Sequence, residues 1–217
     1  MQVVAASDLH GQLPTIPSCD LLLLAGDLCP IDDHAEDAQR TFLEGPFADW
    51  LEQAPAGAIV GVAGNHDLIA ELEPALLRGL PWSYLVDDET EAAGLRIWGS
   101  PFAVTYGDWA FMESEAELER RFAAIPDGLD VLLVHGPPFG VLDHAVRGAD
   151  AGSHALRRAV LRARPAVAVF GHIHEGHGEH LLGETRCLNV SLMDVRYAVR
   201  HAPTVFELER RTRRLTG

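Results

Sequence analysis

Ala58-Ile59-Val60-Gly61-Val62-Ala63-Gly64-Asn65-His66-Asp67 reads as a buried strand that ends abruptly in polar side chains. The run is apolar and partly β-branched, the pattern of a strand covered on both faces. Gly64 is expected to turn the chain sharply as it leaves the sheet. Asn65, His66 and Asp67 then lie just beyond the strand's carboxyl end, where open α/β sheets place their ligands. Four other places repeat the design, an apolar strand followed by a small residue and then Asp or His.

Working outward, Gln2–Ala6 is a first strand followed by Ser7-Asp8-Leu9-His10-Gly11, and Asp20–Ala25 is a second, ending at Gly26-Asp27. Asp8 and His10 are two apart, so in extended or turn geometry they can point the same way. Asp33–Gln53 has the composition of a helix, with Phe42, Leu43, Phe47, Trp50 and Leu51 on its buried side and Gly45-Pro46 set to kink or split it. Leu68–Leu77 is a short helix interrupted near Pro74. Leu95–Gly99 is a strand, and Ser100–Ala110 a loop carrying Phe102, Tyr106 and Trp109. Ser114 with Glu117 forms a capping-box pattern ahead of a helix. Asp130–Val134 is a strand ending in His135-Gly136-Pro137-Pro138. Phe139–Gly152 is a long loop, Ser153–Arg164 a helix, and Ala166–Phe170 a strand ending in Gly171-His172-Ile173-His174. Thr185–Val190 and Thr204–Leu208 are expected to complete a sheet as antiparallel strands.

The 217 residues suit one domain, residues 1–217, with 47% hydrophobic residues. Asp and Glu number 32 against 17 basic residues, all arginine, for a net charge of -15. Such a surface repels phosphate backbones and argues against nucleic acid as a partner. Cys19, Cys29 and Cys187 are odd in number and lack zinc-type spacing, which points to a reducing compartment. With no leader pattern and no apolar run of spanning length, the expectation is a cytoplasmic protein without a membrane partner.

The five strand ends offer Asp8, His10, Asp27, Asn65, His66, His135, His172 and His174. Imidazole and carboxylate without thiolate suit Mn, Fe, Zn or Co at a site with open positions, and not a structural zinc site. Two carboxylates, one amide oxygen and four imidazoles are the inventory for two metals, if one carboxylate is shared.

Asp8-x-His10, Gly26-Asp27, Gly64-Asn65-His66-Asp67, His135 and Gly171-His172-x-His174, in that order over residues 3 to 190, resemble the calcineurin-like metallophosphoesterase superfamily. Trp98-Gly99-Ser100-Pro101-Phe102, Asp108-Trp109-Ala110-Phe111, His135-Gly136-Pro137-Pro138 and Phe170-Gly171-His172-Ile173-His174-Glu175-Gly176 are similar to its small single-domain branch, which includes the metallophosphoesterase-domain-containing proteins. The resemblance implies an α/β four-layer sandwich, two mixed β-sheets flanked by α-helices. It also implies two divalent ions, with Mn²⁺ favoured over Fe, Zn, Co or Ni. Asp8, His10 and His174 would hold one ion, and Asn65, His135 and His172 the other, with Asp27 shared between them. His66 would stand near the substrate phosphate as transition-state stabiliser or leaving-group acid, with Asp67 behind it. The implied activity is hydrolysis of a small phosphate ester by a hydroxide held between the metals, a diester in preference to a monoester. A catalytically silent binding scaffold on the same fold is the alternative from another class. Related protein phosphatases carry Asp-Arg-Gly shortly after the shared aspartate. This chain reads Gly26-Asp27-Leu28-Cys29-Pro30-Ile31, so a phosphoprotein substrate is not expected. His144 and His154 flank the long loop and are candidates for the substrate wall.

Overall fold

In the computed structural model, which describes residues 1–145, 148 and 150–209, the apolar runs become strands of two mixed sheets. The first has the order β13-β1-β2-β3-β4, from β1 (Gln2–Ala6), β2 (Leu21–Ala25), β3 (Ile59–Val62), β4 (Ser83–Tyr84) and β13 (Thr204–Glu207). The second has the order β11-β12-β10-β9-β6-β5, from β5 (Asp88–Ala92), β6 (Leu95–Ser100), β9 (Val131–Val134), β10 (Val167–Phe170), β11 (Gly178–Leu182) and β12 (Thr185–Asn189). Two-residue strands β7 (Ala103–Val104) and β8 (Met112–Glu113) make a small parallel pair.

Side chains alternate across each central strand, as the pleat requires. Val3, Ala5, Leu21, Leu23 and Val62 pack with Ile97, Val131, Leu133 and Val169 in one buried cluster between the sheets. Their neighbours Val4, Ala6, Leu22, Leu24, Leu132 and Phe170 turn outward into the apolar layers shared with the helices. Those helices are α1 (Glu36–Phe42), α2 (Ala48–Gln53), α3 (Leu68–Leu72), α4 (Pro74–Arg78), α5 (Glu115–Phe122) and α6 (His154–Ala163). Both faces of each sheet are therefore apolar, which explains the unbroken hydrophobic runs at Leu21–Ala25 and Val131–Val134.

Several local expectations hold. The kink at Gly45-Pro46 is a π-helical turn, Leu43–Phe47, joining α1 to α2. Pro46 has no N–H to give the ladder, so the helix widens there and does not break. Ser114 accepts from Glu117 N–H at the start of α5, although the Glu117 carboxylate reaches Arg120 and does not return to the cap.

Others need correction. β13 is antiparallel to β1, as expected, but β12 pairs parallel with β10 and antiparallel only with β11. The two C-terminal strands thus lie in different sheets. The polar strand β5 and the strand β11 close the edges of the second sheet, and neither is marked by an apolar run in the sequence. Their exposed side chains are the reason: Asp-Glu-Thr-Glu-Ala lacks the apolar alternation that marks a half-buried strand.

Among the parallel strands, the carboxyl ends of β1, β2 and β3 come to the same edge as those of β9 and β10. Backbone bonds fasten that edge together. Ser7 N–H donates to Val190 O over 3.1 Å, Asp8 N–H to Gly26 O over 3.0 Å, and Gly171 N–H to His135 O over 3.0 Å. No helix among the described residues is long and apolar enough to cross a membrane.

Candidate metal centre

The turns that leave the strands are backbone-strained at the residues that matter. Asp8, His10, Asp27 and His172 adopt left-handed φ angles of 56°, 44°, 53° and 67°. Asp and His tolerate this region better than β-branched residues, yet each such residue costs on the order of 1–3 kcal/mol. The result is that side chains from different strands turn inward over one point. Gly64 does not have a positive φ, so its expected role as a sharp turn is replaced by another. A Cβ there would run into the Asp27 carboxylate and come within 2.6 Å of His135 Cε1. Gly171 is needed in the same way, because a Cβ would strike the Asp8 carboxylate and Ser7.

The structure brings all seven expected ligands together. Asp8, His10 and His174 form one group whose ligand atoms lie within 4.8 Å of one another, and Asp8, Asp27 and His135 form a second. His174 Nε2 lies 3.5 Å from Asp8 Oδ1 and 3.4 Å from His10 Nε2. Asn65 Oδ1 stands 2.9 Å from His135 Nε2 and 2.8 Å from His172 Nδ1. Asp27 joins the two halves. Its Oδ2 is 3.6 Å from His10 Nε2, and its Oδ1 is 3.5 Å from His135 Nε2. Second nitrogens are tied back: His135 Nδ1 lies 2.9 Å from Ala25 O, and His174 Nδ1 3.0 Å from Asp194 O. Such ties fix which ring nitrogen is left for a ligand.

The charges of this cluster fit divalent cations. Burial lowers His10 and His172 to about 3 and moves His135 in the same direction, so these rings are neutral with lone pairs to offer. Burial also raises Asp27 well above the usual carboxylate range, and Asp8 and Asp67 beside it push it further. Burial alone would raise Asp8, but its hydrogen bond to His174 and that ring's charge hold it low. The same contact outweighs burial at His174 and raises it. Apart from the His174–Asp8 contact, these buried carboxylates face neutral imidazoles, and a bound cation would supply the missing positive charge.

His66 is held apart from the ligands. Its N–H donates to Asp27 Oδ1 over 2.8 Å, and its carbonyl accepts from Gln39 Nε2 over 2.7 Å. Its Nδ1 lies 3.2 Å from His34 Nε2, and Trp109 packs on the ring with centroids 4.4 Å apart. Burial, with His34 next, lowers His66 to about 4. Asp67 does not reach the cavity. Its fully buried carboxylate accepts from Leu28, Cys29 and Gly64 N–H at 2.8–3.1 Å, so it holds the turn after β2 against the turn after β3. Cys29 is a small buried residue against it, its thiol pushed up by burial and by Asp67.

A cavity of about 620 Å³ opens over Asp27, Asn65, His66, His172 and His174. Its far wall is aromatic, with Tyr106, Trp109 and Tyr197. Tyr197 also sets its ring edge-on against His10, His66 and His174 at 4.9–6.2 Å between centroids. The loop Phe139–Gly152 contributes Ala145 and Ala151 to the lining, but neither flanking histidine. His144 pairs with Asp150 on the surface, and His154 stacks on Phe139 with centroids 3.8 Å apart. Residues 146, 147 and 149 of this loop lie outside the described residues. His34, Gln39 and Tyr197 were not foreseen, because none follows an apolar strand and each is brought in by folding.

The model of the family described as calcineurin-like phosphoesterase matches residues 1–176. The chain belongs to that family. It is 31% identical to human metallophosphoesterase domain-containing protein 1, over 94% of this chain and 70% of that protein. It is 30% identical to a UPF0046 protein of Caenorhabditis elegans, over 92% and 76% of the two chains. A cAMP/cGMP dual specificity phosphodiesterase of Mycobacterium tuberculosis is 32% identical over 71% of this chain and 48% of its own length. Among solved structures, TT1561 of Thermus thermophilus superposes with a TM-score of 0.58 at 16% identity, covering 87% of this chain and 88% of that one, a likeness of fold. The family is metal-dependent and acts on phosphoesters, and this chain has the candidate ligand groups for such a centre.

Proposed function

We propose that this chain is a phosphodiesterase with a two-metal centre. The observation that carries the reading is the placement of Asp27, one carboxylate oxygen toward His10 and the other toward His135. On this reading Asp8, His10 and His174 hold one ion, Asn65, His135 and His172 the second, and Asp27 both. Two such ions would draw charge from a phosphoryl group and lower the pKa of water. The chain's own residues supply the rest. The carboxylates and imidazoles keep the ions in place, and His66 presents its ring beside the phosphate. The aromatic wall keeps bulk water from one side of the ester.

The lining supports a diester over a monoester. Among its described residues there is no arginine, while Asp27 and Glu175 are both present. Among those described residues a dianionic monoester would meet no lysine or arginine, whereas a monoanionic diester demands less positive charge. Flat aromatic surfaces at Tyr106, Trp109 and Tyr197 suit a diester with an apolar or planar group on one side. The relative named as a cyclic-nucleotide phosphodiesterase is compatible with this reading. A metal-supplemented panel of cyclic nucleotides, linear diesters, monoesters and nucleotide pyrophosphates tests it. The expected result is turnover of diesters above the other classes. Preference for monoesters would overturn it, and metal binding without any turnover would favour a binding scaffold.

A further inference from the structure

His34 lies in the turn before α1, within hydrogen-bond reach of the one site histidine not assigned to a metal. We propose that His34 is a positioning residue for His66, donating its Nε2–H to His66 Nδ1 so that His66 carries its own proton on Nε2, toward the cavity. This rests on the phosphoesterase reading of the site.

The geometry is specific. The two nitrogens are 3.2 Å apart, and the rings stack at 30° with centroids 5.5 Å apart. Asp33 Oδ1 accepts from Ala35 N–H over 2.9 Å and fixes the turn that presents His34. Trp109 packs on both rings, at 5.2 Å from His34 and 4.4 Å from His66. The backbone of His66 is already clamped by Asp27 and Gln39. What remains free is the ring's orientation and tautomer, and His34 is the described side chain that hydrogen-bonds that ring.

The direction of the bond follows from what His66 faces. Its Nε2 has no hydrogen-bond partner among the described residues, and the ring lines a cavity shared with Asp27 and Glu175. Phosphate oxygens and carboxylates are acceptors, so a bare ring nitrogen pointed at them would be repelled. An Nε2–H is attractive in that position, and it requires Nδ1 to accept. His34 is then the donor. In this tautomer the Nε2–H can hydrogen-bond the leaving-side oxygen of a phosphodiester as charge develops there. Partners behind a working group commonly matter by about 10–100-fold.

The test uses His34→Phe, which keeps a ring against Trp109 but no nitrogen, and His34→Gln, which restores an N–H donor. The ring-nitrogen NMR spectrum of the full chain, ¹⁵N-labelled and metal-free, is expected to show His66 with a bare Nδ1 and a protonated Nε2. His34→Phe should mix the tautomers and His34→Gln should restore the pattern. An unchanged His66 spectrum in His34→Phe would overturn the proposal, whatever the enzyme's activity. In the Mn²⁺-loaded enzyme, His34→Phe should lower kcat about tenfold on an alkyl diester with KM and metal content unchanged, and much less on a nitrophenyl diester. Added to His66→Gln it should cost nothing further. Independent, additive losses from the two substitutions would overturn it. A wild type that hydrolyses no phosphoester would sink the functional reading while leaving the NMR result to decide His34.

Discussion

The N–H of His66 donates to Oδ1 of Asp27 over 2.8 Å. The carboxylate that joins the two candidate ligand groups therefore also fixes the backbone of His66 at the cavity. Asp27→Asn keeps a side-chain oxygen to accept that bond but loses the charge both ions would share. Both sites should weaken, while His174→Ala should mainly empty one. Elemental analysis after dialysis against Mn²⁺ checks this, and loss of a single ion from Asp27→Asn would place Asp27 in one site only.

Asp67 is expected to act on stability. Three backbone N–H groups lean on its buried carboxylate, and removing it strands them away from water. Asp67→Ala should cost about 3 kcal/mol or more. Urea unfolding in saturating Mn²⁺ measures it, and a loss below about 1 kcal/mol would show that water replaces the carboxylate.

The depressed pKa of His172 has a defined sign. Folded, it takes a proton only near pH 3, whereas unfolded it does so near 6.5. Between those values the unfolded chain binds the extra proton, so this group removes stability as pH falls. In chelator-stripped protein, His172→Gln should lose about 2 kcal/mol less than wild type between pH 6.5 and 4.5. Parallel stability curves for the two would mean that His172 titrates normally in the fold.

Substrate choice should follow the aromatic wall and not the loop histidines. Tyr106→Ala and Trp109→Ala are expected to raise KM for diesters bearing a large planar group by several-fold, with metals retained. His144→Ala should change nothing, since that ring pairs with Asp150 outside the cavity. A KM shift for His144→Ala equal to that for Tyr106→Ala would move the wall toward the loop.

The candidate ligand cluster is legible in the sequence because its members are locally encoded. Asp8, Asp27, Asn65, His135 and His172 directly follow or closely trail an apolar strand, and parallel strands must bring those ends to one edge. What was not legible depends on distant contacts. His34 meets His66 across 32 residues, and His174 Nδ1 meets Asp194 O across 20. Neither partner carries a strand-end signature. The family resemblance puts Asp67 behind His66, yet its oxygens are spent on backbone amides. Strand β5 escaped because its side chains are polar, and the parallel pairing of β12 because β11 intervenes as a hairpin.

Titration of chelator-stripped protein with Mn²⁺, following turnover of a linear diester and the matching monoester, shows how many ions the chain needs and which ester it prefers. In a two-metal diesterase, activity should saturate only near two ions per chain, with the diester turned over faster throughout. Full activity at one ion per chain, or faster turnover of the monoester, would contradict it.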